Sequence, residues 1–393
     1  MIGRRRFVAR LVNGAMLGVC ARLGRVASIV PAHASDSPTQ GRPYHMLVLG
    51  DSVSWGQGLR DADKFSTLVQ QWLAQRLNGQ RVVKWTFAHS GAVLGPNSHD
   101  ASPALPGEVP IGYPSVIAQL SIARNYLAHH PLTDADHAAP VDPASVALVL
   151  VGGGINDVDV RNILTMDPTI TDPERWIRKL ARERCVERMR AHVLPPLLGT
   201  FPNADVIVTG YYAIVSEATQ LGDLDGFLHD LGVLGSLGSL VVTETVRRKL
   251  ARQCTAFADE TTKGLREVVP KAQPPAAIAS ADRGTVSRAV EKAPPARAHF
   301  VDCGLAPDQS FGASHTMLWG VPAADPLASE RASECNALGA TVDHLTCIEA
   351  SAGHPNVAGA RLIADRVIRR LDCMYTTAAT ASGRPDRNCI ALR

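Results

Sequence analysis

The strongest constraint on the fold is a set of five short runs rich in aliphatic and β-branched residues: His45 to Leu49, Arg81 to Phe87, Val146 to Val151, Asp205 to Thr209 and His299 to Val301. Runs this short and this apolar read as buried strands. Helical patterns lie between and after them. Phe65, Leu68, Val69, Trp72 and Leu73 form one apolar face between the first two runs, and Ala360, Ile363, Ala364, Val367 and Leu371 repeat the pattern near the end. Strands alternating with helices predict a parallel sheet covered on both sides, a three-layer α/β/α sandwich around about five strands. Sheets of that kind carry their sites at the carboxyl ends of the strands. Gly50-Asp51-Ser52 follows the first run, Ser90-Gly91 the second, and Gly152-Gly153-Gly154-Ile155-Asn156-Asp157 the third. Three loops therefore converge on one edge.

Composition narrows the functional classes. Hydrophobic residues make up 46% and charged residues 20%, ordinary for a globular chain and too apolar for general disorder. The net charge of +3 is uneven: Arg4, Arg5, Arg6, Arg10, Arg22 and Arg25 all precede the first acidic residue, Asp36, and without those six it is −3. No basic stripe with interleaved aromatics is present, so nucleic acid is not an expected partner. The basic start, the apolar stretch from Leu11 to Cys20 and the small-x-small site Ala32-His33-Ala34 mark residues 1–34 as an export segment. Arg4-Arg5-Arg6-Phe7-Val8 suits a twin-arginine as well as a general secretory route, and an organellar transit peptide is the other reading of an Arg-rich, acid-free leader. No later stretch reaches the roughly 18 apolar residues that a membrane-spanning helix needs.

Residues 35–393 are expected to form a single domain, with a helical, cap-like insertion at about 221–298. Pro131 to Ser145 and Gln273 to Ala298 are rich in Pro and Ala and read as surface loops. Of eight cysteines, Cys20 would leave with the leader and seven would remain. An oxidising compartment allows three disulfides, with Cys335 and Cys347 the expected pair because only a short loop separates them. Zinc is the rival use of cysteine, but no C-x-x-C or His pair at ligand spacing occurs.

Chemistry concentrates in the three loops and one later block. A Ser hydroxyl needs an adjacent base to act as a nucleophile, and Ser52 directly follows a buried strand. The segment His45-Met46-Leu47-Val48-Leu49-Gly50-Asp51-Ser52, with Gly56 after it, resembles the first block of the GDSL/SGNH hydrolases. Ala88-His89-Ser90-Gly91, Gly154-Ile155-Asn156-Asp157 and Gly353-His354-Pro355-Asn356 resemble the later blocks, in family order. The resemblance implies a flavodoxin-like SGNH fold and a serine esterase or lipase. It makes Ser52 the nucleophile and His354 the base. The Ser52 N–H, the Gly91 N–H and the Asn156 side-chain amide become the oxyanion hole. Taken singly, Ser52 could be a helix cap, Asn156 a turn residue and Gly91 a loop glycine.

One position departs from the family pattern. An Asp commonly stands three residues before the His, whereas this chain has Ser351. The Ser351 carbonyl is the first candidate to orient the imidazole, with Glu349, Asp343 and Asp302 as side-chain alternatives. The mechanism requires no metal and no cofactor, and the G-x-G-x-x-G and G-x-S-x-G patterns are absent. The expected substrate is a small-molecule or lipid ester, met through transient contact with a lipid interface. A polysaccharide O-acetyl esterase, an acyltransferase and a non-catalytic glycan- or lipid-binding relative remain alternatives.

Overall fold

The computed structural model describes residues 42–97, 100, 114–129, 140–233, 242–274, 297–321, 325–339 and 344–379. The expected export segment, Asp343 and Cys389 lie outside these residues, as does most of each Pro/Ala-rich stretch.

The chain alternates strand and helix: β1 (Tyr44–Leu49), α1 (Ser52–Trp55), α2 (Phe65–Arg76), β2 (Val82–Thr86), α3 (Val116–His129), β3 (Val146–Val151), α4 (Ile155–Val158), α5 (Val160–Ile163), α6 (Pro173–Leu180), α7 (Leu194–Thr200) and β4 (Asp205–Thr209). It continues with α8 (Leu221–Asp230), α9 (Glu244–Val268), β5 (Arg297–Val301), α10 (Ala328–Ala337), α11 (His344–Ala350) and α12 (Val357–Ala379). The five strands form one sheet in the order β2-β1-β3-β4-β5, every neighbouring pair parallel. Each strand overlaps one predicted run, although β1 begins one residue earlier and β5 two residues earlier than the sequence suggests. Because parallel strands need crossover connections, the helices are driven onto the two faces.

Side-chain alternation divides the core accordingly. Met46, Val48, Leu148, Leu150 and Ile207 point to one face, where they meet Phe65, Val69 and Leu73 of α2 and Ile363, Ala364, Val367 and Leu371 of α12. Leu47, Leu49, Val149, Val151, Val206 and Val208 point to the other, against Val116, Leu120, Ala123 and Leu127 of α3 and Leu194, Leu197 and Leu198 of α7. Each fully buried Leu or Val contributes about 1.5–3 kcal/mol. Burial on both faces explains why the runs of β1, β3 and β4 read as continuous apolar stretches rather than as alternating ones.

Two features depart from regular geometry. Between α6 and α7 the helical path passes through π-helical turns at Ala181–Val186 and Met189–Val193, and these lie beside the third loop. Within the region expected to be a cap, α9 places Leu250, Cys254 and Phe257 in the first core cluster and Leu265 and Val268 in the second. Its carboxyl-terminal part thus joins α7 in the helix layer on the second sheet face.

Cys335 and Cys347 form a disulfide with a Cα separation of 5.9 Å, joining α10 to α11. Cys373 is also disulfide-bonded. The expectation of three bridges does not hold, because Cys185, Cys254 and Cys303 are free and buried. They pack as small apolar side chains. Among the described residues, no helix is long and apolar enough to cross a membrane.

Candidate active site

Ser52 opens α1 directly after β1 and is 6% exposed. Asp51 caps that helix, its Oδ1 accepting from the Val53 N–H at 3.0 Å. The turn between strand and helix requires Gly50. Its φ is +133°, and a Cβ there would run into the Gly152 carbonyl and the Ser54 hydroxyl. Gln119 of α3 grips the same residue from both sides. The Gly50 N–H donates to Gln119 Oε1 at 2.7 Å, and Gln119 Nε2 donates to the Gly50 carbonyl at 2.9 Å. An apolar helix stripe carrying one Gln thereby fixes the backbone next to Ser52.

His354 reaches Ser52 from the far end of the chain. Its Nε2 lies 2.7 Å from Ser52 Oγ across 302 residues of sequence. The loop that carries it is sewn to the segment around Trp319. The Trp319 N–H donates to the His354 carbonyl at 2.8 Å, and the Gly353 N–H donates to the Trp319 carbonyl at 2.9 Å. Leu318 pairs with Pro355 in an antiparallel bridge, and the Asn356 N–H donates to the Met317 carbonyl at 3.0 Å. Asn356 Oδ1 accepts from the Gly359 N–H at 3.0 Å at the start of α12. The Tyr212 hydroxyl donates to the Gly353 carbonyl at 3.2 Å.

No carboxylate among the described residues meets the imidazole. Nδ1 is buried without a hydrogen-bond partner, although the carbonyls of Ser351, Ala352 and Ala350 lie close enough to favour its protonated form. None of the three makes a hydrogen bond to Nδ1, and the Ser351 carbonyl already accepts from the His354 backbone N–H at 2.9 Å. Burial is the larger influence and pulls the imidazole down from 6.5 to about 4. Glu349 is exposed. Asp302, beyond β5, accepts from the Gly304 N–H at 2.8 Å and pairs with Arg266 and Arg366. Neither candidate acid serves His354.

The second and third loops are joined to each other by hydrogen bonds. Gly91 adopts φ +76° in the second loop, a conformation that favours glycine. Asn156 Nδ2 donates to the Ala92 carbonyl at 3.0 Å, which leaves one amide N–H uncommitted by that bond. Asp157, its side chain fully buried, accepts from the Leu94 N–H at 2.9 Å and from Arg188 Nη1 at 2.7 Å. Burial raises the Asp157 carboxyl, and these donors oppose the rise. Arg184 adds a bond to the Asp157 carbonyl at 3.1 Å. Arg184 lies within the first π-helical turn and Arg188 between the two. His89, within the second loop, is held neutral by burial, at about 4.

No protein-family model and no curated protein sequence matches the chain. Among solved structures it is similar to the extracellular lipase from Streptomyces rimosus, at TM-score 0.42 and 13% identity, covering 84% of this chain and 98% of that one. It is also similar to phospholipase A1 from Streptomyces albidoflavus NA297, at TM-score 0.39 and 15% identity over 84% of this chain and 98% of that one. TesA aligns at TM-score 0.21 and 15% identity, over 57% of this chain and 99% of that one. Likeness at this level assigns no activity; the site's own chemistry has to do so.

Proposed function

We propose that the chain is a serine hydrolase of carboxylic esters in which Ser52 and His354 form a catalytic dyad. The observation that carries this reading is the 2.7 Å contact between His354 Nε2 and Ser52 Oγ, at the carboxyl edge of a parallel sheet. A neutral imidazole in that position takes the hydroxyl proton as Ser52 Oγ attacks the ester carbonyl carbon. The resulting imidazolium then gives the proton to the leaving alcohol. Water, activated by the same imidazole, resolves the acyl-enzyme to the acid and free Ser52. The carbonyls of residues 350–352 stabilise the imidazolium where a serine protease uses Asp.

The oxyanion of the tetrahedral intermediate needs donors preorganised around it. The Ser52 N–H, the Gly91 N–H and the second amide N–H of Asn156 fill that role. Supporting it, Asn156 is tied to the carbonyl that follows Gly91.

An exported enzyme acting on small-molecule or lipid esters fits the Arg-rich leader, and the Cys335–Cys347 disulfide supports an oxidising compartment. A series of p-nitrophenyl esters from acetyl to palmitoyl, assayed beside acetylated xylan, tests the substrate. Turnover that is lost in Ser52→Ala and favours acyl esters supports the reading; preference for the acetylated glycan transfers it to polysaccharide deacetylation.

A further inference from the structure

A buried hydroxyl outside the dyad and the oxyanion donors connects two of the three loops. Tyr211 follows β4 and is 3% exposed, its ring packed on Phe257 of α9 at 5.7 Å between centroids. Its hydroxyl donates to Asp51 Oδ2 and accepts from the Ile155 N–H at 3.1 Å. Asp51 immediately precedes Ser52, and Ile155 immediately precedes Asn156. One oxygen atom is therefore bonded to the residue before each of two oxyanion donors. Burial raises the Tyr211 hydroxyl far above its usual range, with the Asp51 charge adding to the rise, so it stays a donor at any working pH. Asp51 is fully buried and satisfied by Tyr211 on one oxygen and by Val53 on the other. Neither group has solvent as an alternative partner.

We propose that Tyr211 is a positioning residue that sets the separation between the Ser52 N–H and the Asn156 amide, and with it the width of the oxyanion hole. This inference rests on the ester-hydrolase reading above. Oxyanion donors act only when held close to the position that the charged oxygen will occupy, and misplacement by about 1 Å lowers rate by roughly 100-fold. The Tyr211 hydroxyl does not reach substrate. It acts on the transition state through the two loops, so its loss should lower kcat and leave KM nearly unchanged.

A double-mutant cycle tests the inference. Tyr211→Phe keeps the ring and its contact with Phe257 while removing the hydroxyl. It should lower kcat on p-nitrophenyl acetate roughly 10- to 100-fold with KM within about twofold. In an Asn156→Ala background the donor to be positioned is gone, so the same change should lower kcat by less than about threefold. Full activity in Tyr211→Phe, or losses that simply multiply, overturns the inference. If Tyr211→Phe shows no cooperative unfolding transition, the cycle is run with Asp51→Asn, and the same non-additivity is expected and the same multiplication overturns it. A wild type without Ser52-dependent turnover would instead remove the esterase reading itself, before any cycle is measured.

Discussion

At the scale of single residues the proposed dyad has its histidine kept neutral by burial. With His354 pulled down to about 4, the base form predominates at all pH values above that point. The logarithm of kcat/KM should therefore rise with pH up to about 4 and stay level above it, since this profile reports the free enzyme's essential base. An acid limb near 6.5 or higher would mean that a negative group faces the imidazole after all. Asn156→Ala should lower kcat by roughly 10²- to 10³-fold, the range for loss of one oxyanion donor, with little change in KM. An unchanged kcat would return Asn156 to the role of a turn residue. Ser52, Gly91, Asn156 and His354 could all be singled out in the sequence because each sits in a short local pattern. Gln119 could not, since it stands within an otherwise apolar helix stripe and its partner Gly50 lies 69 residues away. Tyr211 carries a weaker signal: it follows the fourth strand, at the same sheet edge as the other loops.

At the scale of elements the strands were legible and the helix irregularities were not. The apolar runs announce β1, β3 and β4 because burial on both faces leaves little polar alternation to confuse them, while the edge strands β2 and β5 keep Lys84, Arg297 and His299. The π-helical turns at Ala181–Val186 and Met189–Val193, which bring Arg184 and Arg188 onto Asp157, follow from tertiary packing and have no local sequence signature. A second such arrangement supports the His354 loop. Arg331 of α10, 1% exposed, donates to the Gly320 carbonyl at 2.6 Å, while Asp325 accepts from the Gly320 N–H at 3.1 Å and pairs with Arg331 at 3.2 Å. Gly320 follows Trp319, whose backbone brackets His354. Arg331→Met leaves Asp325 as an unpaired buried charge and should lower unfolding free energy by about 3–5 kcal/mol in urea titration. Opening the Cys335–Cys347 bridge by paired Ser substitution should remove about 2–4 kcal/mol more, because it frees the loop between α10 and α11. A midpoint unchanged in either variant would show that these elements do not support the fold.

At the scale of the whole molecule, a parallel sheet collects residues from opposite ends of the chain at one edge. Ser52 and His354 are 302 residues apart in sequence, and what joins them is the strand order β2-β1-β3-β4-β5, with the closing α12 packed against α2. The alternation of strand and helix implied the layers, but the order of strands and the pairing of the Trp319 segment with the His354 loop depend on contacts across the whole fold. The central claim, that this edge activates Ser52, is tested most directly by reaction of the folded protein with a fluorophosphonate probe, followed by peptide mapping. Stoichiometric modification at Ser52, lost in His354→Ala and in protein unfolded by urea, is the predicted result. A folded wild type that does not react, or that reacts at another residue, would contradict it.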